Sequence, residues 1–523
     1  MKAHTVQAAQ AVHKVRARAA GARPWRRSLL ALLLAQAGWA AAQTPASANP
    51  RDEFFWLGAM NKATAVINTD EGLINRKLTP LLAGGIDKVL ADGALPGGAR
   101  PKTVISFEPL LIKAAGQEVT WLHAGRSSQD MHATYRAAIL RDELLTLATE
   151  LNRTTEALVA LADKHQATIV PNYTNGVAAQ PNSLGHNLLG HAAGLERDAQ
   201  RVREAYARID RSAMGTTVLN GSSWPLNRKR MADYLGFAAT VDNAYDASQI
   251  ASTEHPVEVG AVVSSIALHA GHFVEDVMTQ YAAPRPWMLL AEGDGNTYVS
   301  SAMPQKRNPG LLNTVRRQAS STIALGMGPL IRAHNITPGM ADSKEVQDNS
   351  AMVRSAVTVL TGWQRILSAL VVSPERALEE LDSDWTASQE LADLLMRKYQ
   401  MPFRVGHHFA SDLVDHARAH NLRPSTFPYA TAREIYARSV GKSGGNPELP
   451  VTEAEFKAAL DPVAIVRART TAGGPQPAEM ARMLTLAKRQ TQAQTEWVDQ
   501  RKRRIDSALS KLDADFKVLL PKP

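Results

Sequence analysis

From Arg126 to Val170 the chain runs without a glycine or a proline. Those are the two residues that most often interrupt a helix. Within the stretch, Leu140, Leu144, Leu147, Leu151 and Leu158 recur at spacings of 4, 3, 4 and 7. That rhythm places them on one face of a helix with 3.6 residues per turn. Wholly helical, the segment would extend about 65 Å at 1.5 Å per residue. An apolar stripe that long must be covered by other long helices. The segment therefore predicts a long helix within a multi-helix bundle.

The rest of the chain supplies the partners. Helical patterning recurs over about 182–213, 227–250, 256–283, 309–334 and 343–372, with no convincing run of alternating strands. Residues 53–125 mix helical stretches with breaks such as Asp92-Gly93-Ala94-Leu95-Pro96-Gly97-Gly98. The last third is shorter-ranged, with a loop over Gly441–Pro450. It closes on a charged helix around Met483–Leu519, which reads as a solvated face.

Charge is unevenly spread. The formal net charge is +9, but residues 1–42 carry Lys2, Lys14, Arg16, Arg18, Arg23, Arg26 and Arg27 and no acid. Without those seven, 52 of the 59 basic residues face 50 acidic ones. A body so near neutrality argues against a nucleic-acid partner. The basic run leads into the apolar Leu29–Ala37 and the small residues Ala40-Ala41-Ala42, the order of a cleaved signal peptide. The apolar run is shorter than the ~20 residues a membrane span needs. No other span long enough is evident, so the expectation is a periplasmic or secreted protein without stable membrane insertion. The absence of cysteine excludes disulfides, thiolate metal sites and cysteine nucleophiles.

Three polar segments stand at the edges of long predicted helices. Leu122-His123-Ala124-Gly125-Arg126-Ser127-Ser128-Gln129-Asp130 precedes the longest one. Its glycine and hydroxyl residues suit either an anion held by backbone N–H groups or plain N-capping by Ser127. Asn172-Tyr173-Thr174-Asn175-Gly176-Val177-Ala178-Ala179-Gln180-Pro181 is a polar turn before the next. Val299-Ser300-Ser301-Ala302-Met303-Pro304-Gln305-Lys306-Arg307-Asn308-Pro309 is the third. There a serine hydroxyl could remove a proton, while Lys306 and Asn308 hold a carboxylate whose charge grows as the proton leaves.

These segments resemble motifs of the fumarase/aspartase superfamily, and of its argininosuccinate lyase branch in particular. The third resembles the signature G-S-x-x-M-x-x-K-x-N, with Val299 in place of the glycine and Ser300, Met303, Lys306 and Asn308 at its spacing. The first is similar to H-T-G-R-S-R-N-D and the second to Y-T-H-L-Q-x-A-Q-P. Met396-Arg397-Lys398-Tyr399-Gln400-Met401-Pro402-Phe403-Arg404-Val405-Gly406-His407-His408 resembles V-R-K-G-V-P-F-R-x-A-H-H, which belongs to the lyase branch. The likeness covers roughly 110–420.

The resemblance implies a three-domain, all-α subunit: a helical domain over 43–126, the bundle over 127–374 and a C-terminal helical domain over 375–523. It implies a homotetramer in which each active site draws its three motifs from three subunits. The implied reaction is elimination of an amine from an N-substituted aspartate, releasing fumarate without metal or organic cofactor. Carried over by position, Ser300 is the general base, and Lys306 and Asn308 clamp the carboxylate. Ser127 and Thr174 line the dicarboxylate pocket, with Ser128, Gln129, Ser301 and Met303 beside them. Gln347 contacts substrate, and Asn175 stands at the catalytic position after Thr174.

The departures concern the leaving group. The family's histidine after the threonine is Asn175, and the glutamate that holds it is Asn313. Amides orient but do not titrate near neutrality, so this pair cannot be the general acid. The arginine and asparagine of the first motif are Ser128 and Gln129. A lysine after the matched glutamine is Ser350, and a tyrosine upstream of it falls near Asp342. The cations expected to hold argininosuccinate are thus missing, which points to another substrate. A cycloisomerase-like reaction or non-catalytic dicarboxylate binding remains open on these residues. His186 with His191, and His269 with His272, read as buried or interfacial helix residues rather than metal ligands. His123, beside the anion-binding turn, is the histidine placed nearest the chemistry.

Overall fold

The computed structural model describes residues 51–441 and 445–522. The expected signal peptide lies outside them. Helices dominate. The N-terminal ones are α1 (Glu53–Asp70), α2 (Thr79–Ala94) and α3 (Val104–Ala115). The bundle follows as α4 (Ser128–Lys164), α5 (Leu184–Ile209), the short α6 (Arg228–Tyr234), α7 (Ala251–Ala282), α8 (Gly310–Ala333) and α9 (Val346–Ala369). Then come α10 (Pro374–Ser383), α11 (Gln389–Tyr399), α12 (Phe403–Ala419), α13 (Tyr429–Gly441), α14 (Glu453–Leu460), α15 (Pro462–Ala468) and α16 (Pro477–Lys517).

The leucine stripe of α4 is buried as its spacing requires: Leu144, Leu147, Leu151 and Leu158 are 0% exposed and Leu140 5%. α5 and α9 cover it, and α7 and α8 pack beside them to complete a five-helix bundle. α7 and α8 approach so closely that a Cβ on Gly260 would lie 2.2 Å from the Gly326 carbonyl oxygen. Only glycine tolerates that approach. Arg141, also 0% exposed in its side chain, bonds Asp210 at 3.0 Å and donates to the Leu235 carbonyl at 3.1 Å. It ties the middle of α4 to the end of α5.

The structure departs from the sequence reading in several places. The long segment stops being helical at Lys164, because Ile169–Thr174 (β1) pairs antiparallel with Val177–Ser183 (β2). Asn175 and Gly176 join them with φ of 53° and 77°. Two consecutive positive φ values make the type I′ turn that Asn-Gly favours between paired strands. Three more short ladders exist: β3 (Arg211–Ser212) with β4 (Ala239–Thr240), β5 (Met288–Leu290) with β8 (Leu370–Val372), and β6 (Tyr298–Val299) with β7 (Arg307–Asn308). The helix expected over 227–250 ends at Tyr234, where Gly236 takes φ 73°.

The terminal helix is not merely a solvated face. Met480, Leu484, Val498, Ile505, Leu512 and Phe516 of α16 are buried in the same core as the bundle, and Lys62 of α1 pairs with Asp513 at 2.7 Å. A separate core forms around Leu391, Phe409, Tyr436 and Phe456, from α11 to α14. The reading that no second apolar span exists also needs correction. Asp246–Ala282 is long and apolar enough to cross a membrane by length and composition, and half of its most apolar window is buried in the protein. Val259, Val263, Ile266 and Phe273 on it are core residues, which accounts for its hydropathy.

Because Leu151 sits at the centre of the stripe, Leu151→Ala should cost about 2–5 kcal/mol. The check is the midpoint of guanidinium unfolding. A loss under ~0.5 kcal/mol, the scale of a surface change, would show that the stripe is not tightly packed.

Candidate active site

The Ser300 loop is a small closed turn. β6 and β7 bring Tyr298 opposite Asn308 and Val299 opposite Arg307. Inside that ladder the Ser300 N–H donates to the Lys306 carbonyl at 3.2 Å, and the Lys306 N–H to the Met303 carbonyl at 3.1 Å. Ser300 Oγ accepts from the Met303 N–H at 3.2 Å and the Ala302 N–H at 3.4 Å. Asn308 Nδ2 donates to the Tyr298 carbonyl at 3.4 Å, and Arg307 braces the turn from Glu292 at 2.9 Å. The arrangement holds the serine oxygen near two N–H groups and leaves Ser301, Met303 and Lys306 exposed. Donors aimed at a hydroxyl oxygen favour its deprotonated form.

At the first motif Ser127 does cap α4, taking the Gln129 N–H at 3.1 Å in a capping box with Asp130. The same hydroxyl donates to the Thr217 carbonyl at 2.6 Å. Asp130 is fully buried and accepts from the N–H groups of Ser127 at 2.8 Å, Gly215 at 2.9 Å and Thr217 at 3.2 Å. Burial pushes its carboxyl up to about 6, against those donors. Arg126 is buried too, bonded to Asn61 at 2.7 Å and Thr64 at 3.2 Å, and burial lowers its guanidinium to about 10. Ser128 and Gln129 are half-exposed at the mouth of this turn.

Thr174 and Asn175 occupy the exposed tip of the β1–β2 hairpin, and Gln347 is exposed in the first turn of α9. Thr174 and Ser127 flank opposite ends of α4, whose 37 residues span about 55 Å at 1.5 Å per residue. One chain therefore does not bring its first and second motifs together. Ser300 stands just before α8, beyond Asn308 and Pro309.

Four of the histidines singled out above are engaged elsewhere, while His272, expected to be buried or interfacial, is exposed on α7. His186 contacts the Gly473 carbonyl at 2.8 Å, His191 meets Asp276 at 2.8 Å, and His269 meets the buried Asp198 at 2.6 Å. His123 pairs with Glu108 at 3.0 Å. Among the described residues no group of three or more His, Asp or Glu is placed to hold a metal ion.

One cluster escaped the sequence reading. Arg136 and Glu143 of α4, Ser252 and His255 of α7, Lys344 just before α9, and Asn349 and Ser350 near its start line a small cavity. Burial raises the Glu143 carboxyl to about 7, despite the Ser350 hydroxyl and Arg354. Burial, reinforced by Arg136, lowers the Lys344 ammonium to about 8, and burial alone lowers His255 to about 4. The signal was present: Arg136 and Glu143 are seven apart and flank Leu140 on the leucine stripe, where charges are out of place.

A carboxyl held above its unfolded value favours the folded state while protonated. Its contribution is therefore lost as pH rises from about 4.5 to about 7. His255 acts oppositely below its ordinary value, so the effect is best read as a difference between proteins. Glu143→Gln should gain thermal stability relative to wild type progressively from pH 5 to pH 8. A pH-independent difference in melting temperature would show that Glu143 does not titrate in that window.

Known proteins fit this geometry. A family model described as "Lyase" matches residues 98–323, and one described as "Argininosuccinate lyase C-terminal" matches residues 385–467. The argininosuccinate lyase of Methanoculleus marisnigri is 30% identical over 413 residues, covering 77% of this chain and 79% of that protein. The argininosuccinate lyase of Methanosarcina barkeri is 28% identical over 442 residues, covering 83% and 86%. The fold is similar to EDDS lyase solved in complex with formate, with a TM-score of 0.80 at 24% identity over 90% of this chain and 92% of that one. The polar turns, the helical bundle and the C-terminal match coincide along one chain, which belongs to the argininosuccinate lyase-like branch of the fumarase/aspartase superfamily.

Proposed function

We propose that this fumarate-lyase-type carbon–nitrogen lyase eliminates an amine from an N-substituted aspartate other than argininosuccinate and releases fumarate. The observation that carries the reading is the Ser300 turn, with Ser300 Oγ facing two N–H groups and Lys306 and Asn308 one strand away. Ser300 takes the proton from the carbon next to a carboxylate. Lys306 and Asn308 stabilise the doubly charged group that results, the term that usually dominates such a barrier. The amides Asn175 and Asn313 leave the amine to be protonated by another group, which supports a substrate different from argininosuccinate. EDDS lyase, with its similar fold, favours an aminopolycarboxylate.

The active site is assembled from several subunits of a homotetramer. Two observations support this. The first and second motifs lie at opposite ends of α4 within one chain. α8 leaves Met327, Leu330 and Ile331 51%, 58% and 68% exposed, an apolar surface suited to a partner helix. The basic and apolar N-terminal run supports export to the periplasm.

Mature protein incubated with a panel of N-substituted aspartates should raise ultraviolet absorbance as fumarate forms. Ser300→Ala should lower kcat by at least 100-fold, since a positioned base contributes about 10²–10⁴. A variant as active as wild type would remove Ser300 from the mechanism. Light scattering should return a tetramer, and a monomer at working concentration would refute the shared site.

A further inference from the structure

A second pocket, of about 250 Å³, opens where the end of α8 and the loop after it face the start of α7. Two buried polar side chains in its wall are under-used. Gln249 is 5% exposed; its Oε1 accepts from the Gly339 N–H at 2.6 Å, and its Nε2 has no hydrogen-bond partner. Lys344 is 3% exposed, and its ammonium, with three protons to give, makes a long hydrogen bond of 3.4 Å to the Ser248 carbonyl. Burial is costly for both groups unless something accepts from them. Gln249 also belongs to a π-helical turn over Asp246–Ile250, an irregularity frequent at functional sites in helices.

Both open groups are donors and one is a cation, so their complement is an anionic acceptor. Glu254 stands exposed at the rim of the pocket, and a lone cation with an acid nearby does not favour a dianion such as phosphate. Ile250, Ile336 and Pro338 add apolar wall, which favours a ligand with a hydrocarbon part. We infer that this pocket binds a carboxylate on a short aliphatic stem, the carboxylate at Lys344 and Gln249 and the stem against Ile250, Ile336 and Pro338. The pocket adjoins the first motif. Ser127 Oγ donates to the Thr217 carbonyl at 2.6 Å, the Thr216 hydroxyl lies 3.4 Å from Ser248 Oγ, and Ser248 carries the carbonyl that Lys344 reaches. Gln347 follows Lys344 by three residues. Resting on the lyase reading, which places Ser127 and Gln347 at the substrate, the carboxylate is the far end of the amine fragment that leaves the succinyl group. Lys344 and Gln249 then take over from the cations absent at Ser128 and Ser350.

The test is calorimetry on the mature protein with pentanoate, pentanamide and inorganic phosphate. Pentanoate should bind at least tenfold more tightly than either of the others. Gln249→Glu keeps an acceptor for the Gly339 N–H and replaces the free donor with an acceptor. It and Lys344→Gln should each weaken pentanoate at least tenfold, while Lys306→Met, which disables the proposed dicarboxylate clamp, binds it as wild type does. If Lys344→Gln melts early, Gln249→Glu is read alone. Equal binding of pentanamide, tighter binding of phosphate, or an unchanged affinity in Gln249→Glu overturns the carboxylate pocket. With substrates matched in length, an N-alkylaspartate whose alkyl chain ends in a carboxylate should show at least tenfold higher kcat/KM than one ending in a methyl group, and Gln249→Glu should abolish that preference. Pentanoate binding without the preference overturns the assignment to the leaving fragment. No fumarate from any aspartate derivative would instead refute the lyase reading, and the pentanoate result then decides the pocket by itself.

Discussion

The burial of one apolar stripe along α4 is the constraint on which the rest depends. Leu144, Leu147, Leu151 and Leu158 reach zero exposure because α5, α9 and α16 pack against this helix. That packing supports one helix of 37 residues, and its length sets the spacing of the motifs. It carries Ser127 at one end and, five residues past the other, the hairpin that holds Thr174. A rigid rod of about 55 Å cannot fold back to join them. The core of the protomer and the separation of the first and second motifs within one chain are thus two consequences of the same leucines.

The helical skeleton was legible because its signal is periodic and redundant. The leucine spacing, the edges of α5, α7, α8 and α9, and the N-cap at Ser127 needed only the 3.6-residue rhythm and local hydrogen bonding. The hairpin was missed although Asn175-Gly176 is the dipeptide a type I′ turn wants. Its flanks, Pro171-Asn172-Tyr173-Thr174 and Val177-Ala178-Ala179-Gln180, do not alternate in polarity, so nothing in the pattern set it apart from a loop. The shortness of α6 depends on Gly236 turning beneath Ile505 of α16, a contact across most of the chain that no local window contains.

The candidate site divides the same way. The Ser300 turn is contiguous in sequence and could be read there, as could the substitution of amides at Asn175 and Asn313. The cavity around Arg136, Glu143, His255 and Lys344 draws on three helices, and its members look ordinary one at a time. The Asn-Gly turn also gives Asn175 a second reason to be where it is. A residue at φ 53° suits asparagine better than a β-branched side chain.

The departures at Asn175 and Asn313 bear on how a lyase of this family changes its substrate. On the proposed reading, the step that removes the proton needs the same machinery whatever amine departs, so the Ser300, Lys306 and Asn308 turn can stay fixed. The departing group differs in size, charge and basicity, and the residues that meet it must differ too. Here the change is not a simple loss of charge. On the family pattern, amides stand at Asn175 and Asn313 where titrating groups are expected, while a carboxyl near neutrality, Glu143, and an ammonium lowered to about 8, Lys344, lie together in the interior. Charged groups placed in a core without partners cost stability. Arg136 and Glu143 sit beside that leucine stripe, so the same helix carries both the apolar core and a cluster of polar groups.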